Sequence, residues 1–211
     1  MVEERIAYGI EKFLEEDFFL PENDSYCLEE KSESGRSELQ VTIQGDNLCC
    51  EEYDHKGKCN FLKRESPLKL QRSVDHVLLQ KKDGKWILHL IEMKSKVDDK
   101  KWHEIQQKTR ASYFNVCALE RVLGIHIDEV EVYTTYETTG FWHSEQSEDP
   151  KIIVPLLGKP LPPKPESEWE NHRISVDVGE IVQFHHHAVK MQRTEDGRKL
   201  IGPQFLYIIH T

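Results

Sequence analysis

The chain has 211 residues, 37% hydrophobic and 31% charged, enough for one sizeable domain with a full core or one domain plus an extension. Its formal net charge of −10 argues against a protein that coats nucleic acid indiscriminately, and no apolar run reaches transmembrane length. The five cysteines are an odd number behind an acidic N-terminus without the features of a secretory leader, so we expect reduced thiols and a cytoplasmic location.

In chain order, Val2 to Phe19 places apolar residues at Val2, Ile6, Ile10, Phe13 and Leu14 between acidic ones, which predicts an amphipathic helix ending at Pro21. Glu29 to Ser37 is polar and reads as loop. Leu39 to Cys50 alternates as a strand, or as a hairpin turning at Gly45-Asp46-Asn47. Glu51 to Leu70 is basic and irregular. Ser73 to Gln80 and Trp86 to Met93 read as two strands joined by an Asp83-Gly84 turn, the second apolar on both faces and therefore central. Asp98 or Asp99 can cap a long helix whose stripe runs Ile105, Thr109, Ser112, Val116, Leu119 and Leu123 before Gly124 ends it. Ile127 to Tyr136 alternates as a further strand. A proline-rich segment follows from Pro150 to Pro165, expected to strap across the domain. The strand-like stretches Ile174 to His187 and Leu200 to His210 come last, with a turn at Glu195 to Arg198. The expected architecture is α/β: a mixed central sheet flanked by helices over residues 1–140, a connecting loop over 141–173, and a C-terminal β extension over 174–211 packed on the same domain.

Charge is unevenly spread. Lys56 to Arg110 carries 15 Lys and Arg against 7 Asp and Glu, a net of +8 inside an acidic chain. Such a stretch can steer a polyanion to one face.

Within the predicted hairpin, Trp86, Leu88, Leu90, Glu92 and Lys94 share one face, which turns ionic only at its end. With the turn at Asp83-Gly84, residues whose numbers sum to about 167 face each other, so Asp75 falls opposite Glu92. Two carboxylates that close repel unless a cation lies between them. Hard oxygen ligands of this kind suit Mg²⁺ or Mn²⁺, with the Met93 carbonyl as an extra ligand. Lys94 would then orient a water or stabilise charge on a phosphate, the chemistry of metal-assisted phosphodiester hydrolysis.

Asp75, sixteen residues, then Glu92-Met93-Lys94, on neighbouring strands ahead of a long helix, resembles the PD-(D/E)XK nucleases, a similarity covering about Met1 to Tyr136. The order helix, three strands, helix, strand is similar to their shared restriction-endonuclease-like core. Val74 stands where the motif has proline, and the helix lacks the Gln-x-x-x-Tyr pattern of one branch. The resemblance implies a nuclease acting on DNA or RNA, with Asp75, Glu92 and Lys94 at its centre. It also implies phosphate-contacting or supporting residues early in the helix, Lys108 first and Gln106 next, and a glutamate from the first helix, Glu4 or Glu11. The basic segment Lys56 to Arg72, including Arg64, Lys69 and Arg72, would contact the nucleic-acid backbone, with an affinity that falls steeply with salt. From a different class, the same features fit a binding module for nucleic acid or protein that keeps the fold without the chemistry, or a subunit that needs a protein partner.

Two other groupings contain metal-ligand residue types. Cys50, His55 and Cys59 suit zinc chemically but lack a Cys-x-x-Cys spacing, and read as free thiols beside a strand. His185 and His187 share a strand face and read as exposed imidazoles.

Overall fold

The computed structural model describes residues 4–32, 35–56, 62–65, 67–141, 163–203 and 206–208. It is a mixed α/β arrangement in three layers: helices, a six-stranded central sheet, and a second sheet. Among the described residues no helix is long and apolar enough to cross a membrane.

Helix α1 spans Glu4–Phe13, shorter than the periodicity suggested, and buries Ile6 and Gly9. A Cβ on Gly9 would lie 2.9 Å from the Val122 carbonyl, so glycine is what lets this helix press against its neighbour.

The polar stretch Glu29 to Ser37, expected to be loop, contributes to both arms of a hairpin, Glu29 to Ser32 in one and Gly35 to Ser37 in the other. Strand β1 (Ser25–Ser32) pairs antiparallel with β2 (Gly35–Ile43), Cys27 opposite Gln40 and Glu29 opposite Glu38. Its outward residues are charged and pair with one another, as in the Arg36–Glu29 ion pair and Lys31–Glu29 at 3.3 Å. Inward, Tyr26, Leu28, Leu39, Val41 and Ile43 are all buried. The outer charges mask the alternation, and only a second layer reveals which face matters. Strand β3 (Asn47–Cys50) follows the bend at Gly45 but joins the other sheet, so β2 and β3 are not a hairpin. A short helix α2 (Tyr53–Lys56) comes next.

The central hairpin forms as the sequence indicates. Strands β4 (His76–Lys82) and β5 (Lys85–Met93) pair with Lys82 opposite Lys85 and His76 opposite Ile91, a register sum of 167 throughout. Asp83 and Gly84 both take positive φ, 52° and 81°, the backbone of a two-residue hairpin turn. After the short β6 (Lys96–Val97), helix α3 runs Asp99–Leu123. The Asp98 side chain accepts from the Lys101 N–H at 2.9 Å, and Gly124 closes the helix at φ 70°. Strand β7 (Ile127–Tyr136) then lies parallel to β5, with Glu92 beside Thr134, and short β8 (Thr138–Thr139) pairs β6.

The C-terminal part serves both sheets. Within the stretch expected to be loop, Pro165–Glu170 forms α4; residues 142–162, which hold most of the proline-rich segment, lie outside the described residues. The segment Ile174 to His187 is two strands, β9 (Arg173–Asp177) and β10 (Ile181–Lys190), turning at Gly179. The central sheet thus has the order β3-β4-β5-β7-β10-β9. Strands β11 (Gln192–Arg193), β12 (Lys199–Ile201) and β13 (Leu206–Ile208) instead extend the second sheet, β12 and β13 both pairing parallel to β2.

Side-chain alternation on β4 and β5 sorts the core. Val77, Leu79, Leu88 and Leu90 face α3 and pack with Trp102, Ile105 and Val116. Leu78, Ile91 and Met93 face the second sheet and pack with Leu28, Leu39 and Val41. Glu92 belongs by alternation to the α3 face, at the end of its apolar row.

Candidate active site

Four charged side chains meet where β4 begins and β5 ends. Asp75 sits one residue before β4, and three contacts fix it. Its carbonyl accepts from the Tyr53 N–H at 2.7 Å, its Oδ2 accepts from the Met93 N–H at 2.7 Å, and the preceding Val74 N–H donates to Ser112 Oγ of α3 at 2.9 Å. Thr135 on β7 anchors the other arm: its Oγ1 accepts from the Lys94 N–H at 2.9 Å and donates to the Lys94 carbonyl at 3.2 Å. The register anticipated from the hairpin turn therefore brings Asp75 and Glu92 together as expected.

Both carboxylates are buried, Asp75 at 4% exposure and Glu92 at 0%. The charge they need comes from two lysines. Lys108 Nζ, reaching down from the third turn of α3, lies 3.1 Å from Asp75 Oδ1, 2.7 Å from Glu92 Oε1 and 2.9 Å from Glu92 Oε2. Lys94 Nζ pairs with Glu92 Oε1, donates to the Met93 carbonyl at 3.0 Å and stands 3.9 Å from Asp75 Oδ2. Glu92 Oε1 is close to both ammoniums yet in hydrogen-bond geometry with neither.

Electrostatics separate the two acids. Burial, reinforced by the Asp75 charge, pushes the Glu92 carboxyl up to about 7 against the pull of Lys94 and Lys108. For Asp75 burial acts in the same upward direction, but Lys94, Lys108 and the Met93 N–H outweigh it and hold the carboxyl below its ordinary value. The two carboxylates likewise overcome burial at Lys108 and raise it above an ordinary lysine. One acid is thus firmly ionised and its neighbour poised near neutrality, a split common where carboxylates do chemistry.

Other expected residues lie elsewhere. Gln106 donates to Glu168 Oε2 at 2.8 Å and to the Ser175 carbonyl at 3.1 Å, so it ties α3 to α4 and β9 and does not reach the carboxylate pair. Glu4 and Glu11 are exposed on α1, which packs against Val122 near the far end of α3. From Lys108 to Val122 that helix advances roughly 21 Å, too far for either glutamate to join Asp75. Arg64, Lys69 and Arg72 are exposed, and none contacts Asp75 or Glu92. Their segment is fastened to α3 by Arg110, whose guanidinium donates to the Leu68 carbonyl, and is tied internally by Gln71 donating to the Leu62 carbonyl at 2.9 Å. Cys59 lies outside the described residues; Cys50 is buried in the core and His55 exposed. His185 and His187 flank the buried Glu131, with contacts of 3.3 and 2.6 Å.

Sequence reasoning did not single out Glu30. It continues the inward face of β1 beyond Tyr26 and Leu28. Burial, and after it the Asp75 charge, raises its carboxyl while Lys94 pulls it down, so it shares the field of the cluster. The signal was present in the alternation Tyr26, Leu28, Glu30, but only if that stretch is read as a strand.

As a metal centre the donor set is small. Asp75, Glu92 and the Met93 carbonyl offer hard oxygens, each engaged by a lysine ammonium. Among the described residues no group of three or more His, Cys, Asp or Glu gathers as a cage. Two carboxylates and a carbonyl fit a divalent ion that keeps several waters, as Mg²⁺ does, and do not fit zinc. The chain matches no protein-family model, no curated protein and no solved structure.

Proposed function

We propose that this protein is a divalent-metal-dependent nuclease in which α1, β3-β4-β5, α3 and β7 form a core similar to that of the PD-(D/E)XK enzymes. The observation that carries the reading is the meeting of Asp75 and Glu92 with Lys94 and Lys108 at one end of the sheet, in a chain whose basic segment 62–72 is fastened to the same helix. Asp75, Glu92 and the Met93 carbonyl would hold Mg²⁺ or Mn²⁺. Bound there, the ion would lower the pKa of a coordinated water and offset charge on the phosphate.

The chain's own residues supply the rest. Attack of water on phosphorus forms one P–O bond as another breaks, and negative charge builds on the non-bridging oxygens. Lys94 Nζ, half-buried just past the end of β5, orients the water and donates to those oxygens. The proton lost by the attacking water passes to bulk solvent, and the leaving oxygen takes one from a second water at the site. Substrate would approach over Arg64, Lys69 and Arg72.

A second reading has its own support. The four charges balance among themselves, which also suits a binding module that has given up catalysis. Cleavage of labelled single- and double-stranded DNA and RNA with Mn²⁺, beside Asp75→Ala and Lys94→Ala, decides between them. Cutting by the wild type, lost in both folded variants, is the expected result. Cutting that survives both substitutions, or no cutting of any substrate, overturns the nuclease reading.

A further inference from the structure

The space between the two carboxylates is already held by a cation. Lys108 Nζ lies 3.1 Å from Asp75 Oδ1 and 2.7 Å from Glu92 Oε1, a position that a bridging ion would need for itself. The two lysines differ in how they arrive. Lys94 continues the strand that carries Glu92 and keeps to the Oδ2 side of Asp75, at 3.9 Å. Lys108 crosses from α3; the two side chains are almost equally exposed, at 21% for Lys108 and 22% for Lys94, and an ammonium on a four-carbon stem can swing toward solvent without backbone movement.

Charge counting gives the consequence. With both acids ionised and both lysines in place the cluster is neutral, and a divalent ion would bring it to +2. With Lys108 withdrawn the cluster stands at −1 and attracts the ion instead. We propose that Lys108 is a built-in counter-cation that must leave the carboxylate pair before a divalent ion can enter. The inference rests on the proposed metal site and adds its regulation. A phosphate backbone passing over the site gives the displaced ammonium a new partner. Nucleic acid and metal therefore favour each other's binding, and by linkage the effect is reciprocal.

The test is Mn²⁺ titration by calorimetry of the wild type and of Lys108→Met, Lys108→Gln and Lys108→Arg, with circular dichroism and melting curves for each. Lys108→Gln keeps a hydrogen-bond donor for the carboxylates and guards against loss of folding. The two neutral variants should bind Mn²⁺ about tenfold tighter than the wild type, or more, while Lys108→Arg should not. Neutral variants that fold but bind no tighter than a wild type that does bind overturn the inference and leave the metal site standing. Absence of Mn²⁺ binding in all four proteins overturns the metal site itself. Failure of both neutral variants to fold also overturns the inference, because a side chain that must withdraw cannot be one that folding requires.

Discussion

Glu92 and Glu168 are both buried carboxylates packed against α3, at 0% and 4% exposure, yet they are satisfied in opposite ways. Glu168 accepts from three neutral donors built into the fold: Trp102 Nε1 at 2.7 Å, Gln106 Nε2 at 2.8 Å and the Ser175 N–H at 2.9 Å. Its partners come from a packed indole, a helix side chain and a backbone amide, and none of them can leave cheaply. Glu92 has two ammoniums on flexible stems and one oxygen without a hydrogen bond. The first arrangement fastens α4 and β9 to the helix. The second is held together by charges that solvent, an ion or a phosphate can each replace, which is what a working site needs and a staple avoids.

The largest effect expected from this contrast is on stability at Glu168. Truncation by Glu168→Ala strands the buried Trp102 and Ser175 N–H donors, takes one of two acceptors from Gln106, and should cost about 3 kcal/mol, measured by urea unfolding. Mn²⁺ affinity of the folded protein should not change. A loss below about 1 kcal/mol would mean that Glu168 is no staple and that the contrast with Glu92 fails.

Next comes the pH dependence carried by Glu92. Its carboxyl is raised from 4.5 to about 7 in the folded protein. Between those values the folded state holds a proton that the unfolded chain has released. Stability from this group is therefore greatest below the unfolded value and falls as pH rises toward 7, by up to about 3 kcal/mol. Asp75 acts oppositely and in a lower window, because its carboxyl is depressed: its contribution is present above its ordinary value and is lost in more acid solution. Denaturant melts of Glu92→Gln across pH 4.5 to 7 should be flatter than those of the wild type. Matching slopes would show that Glu92 stays ionised throughout.

Smaller effects separate the supports of the two sites. Ser112→Ala removes the acceptor of the Val74 N–H and should cost roughly 1–2 kcal/mol while weakening Mn²⁺ binding, because only the Asp75 arm loses its anchor. Asp98→Ala removes the N-cap of the helix that carries both Gln106 and Lys108. Its expected cost is about 1 kcal/mol in thermal or urea unfolding, with no change in Mn²⁺ affinity. An Mn²⁺ effect from Asp98→Ala as large as that from Ser112→Ala would make the whole helix, and not the Asp75 anchor, the source.

What could be read from residues alone was whatever local geometry dictates. An Asp-Gly turn specifies a two-residue hairpin, the hairpin specifies a register, and that register puts Asp75 against Glu92. Capping residues and period likewise mark α3 from Asp98 to Gly124, and alternation marks β7. Other features depend on a partner distant in the chain, which no local pattern reveals. Glu168, 62 residues after Gln106, claims that side chain and keeps it from the carboxylate pair. The second sheet turns a polar stretch into β1 and β2 and brings Glu30 into the field of the cluster. Gly9 against Val122 sends α1 to the far end of α3 and takes Glu4 and Glu11 with it. The pairing of the two acids is therefore written in the chain, since turn, register and alternation all act within a few residues. That Lys108 bridges those acids follows instead from the packing of α3 over the sheet, because a side chain's partners across layers depend on how helices and sheets settle on one another.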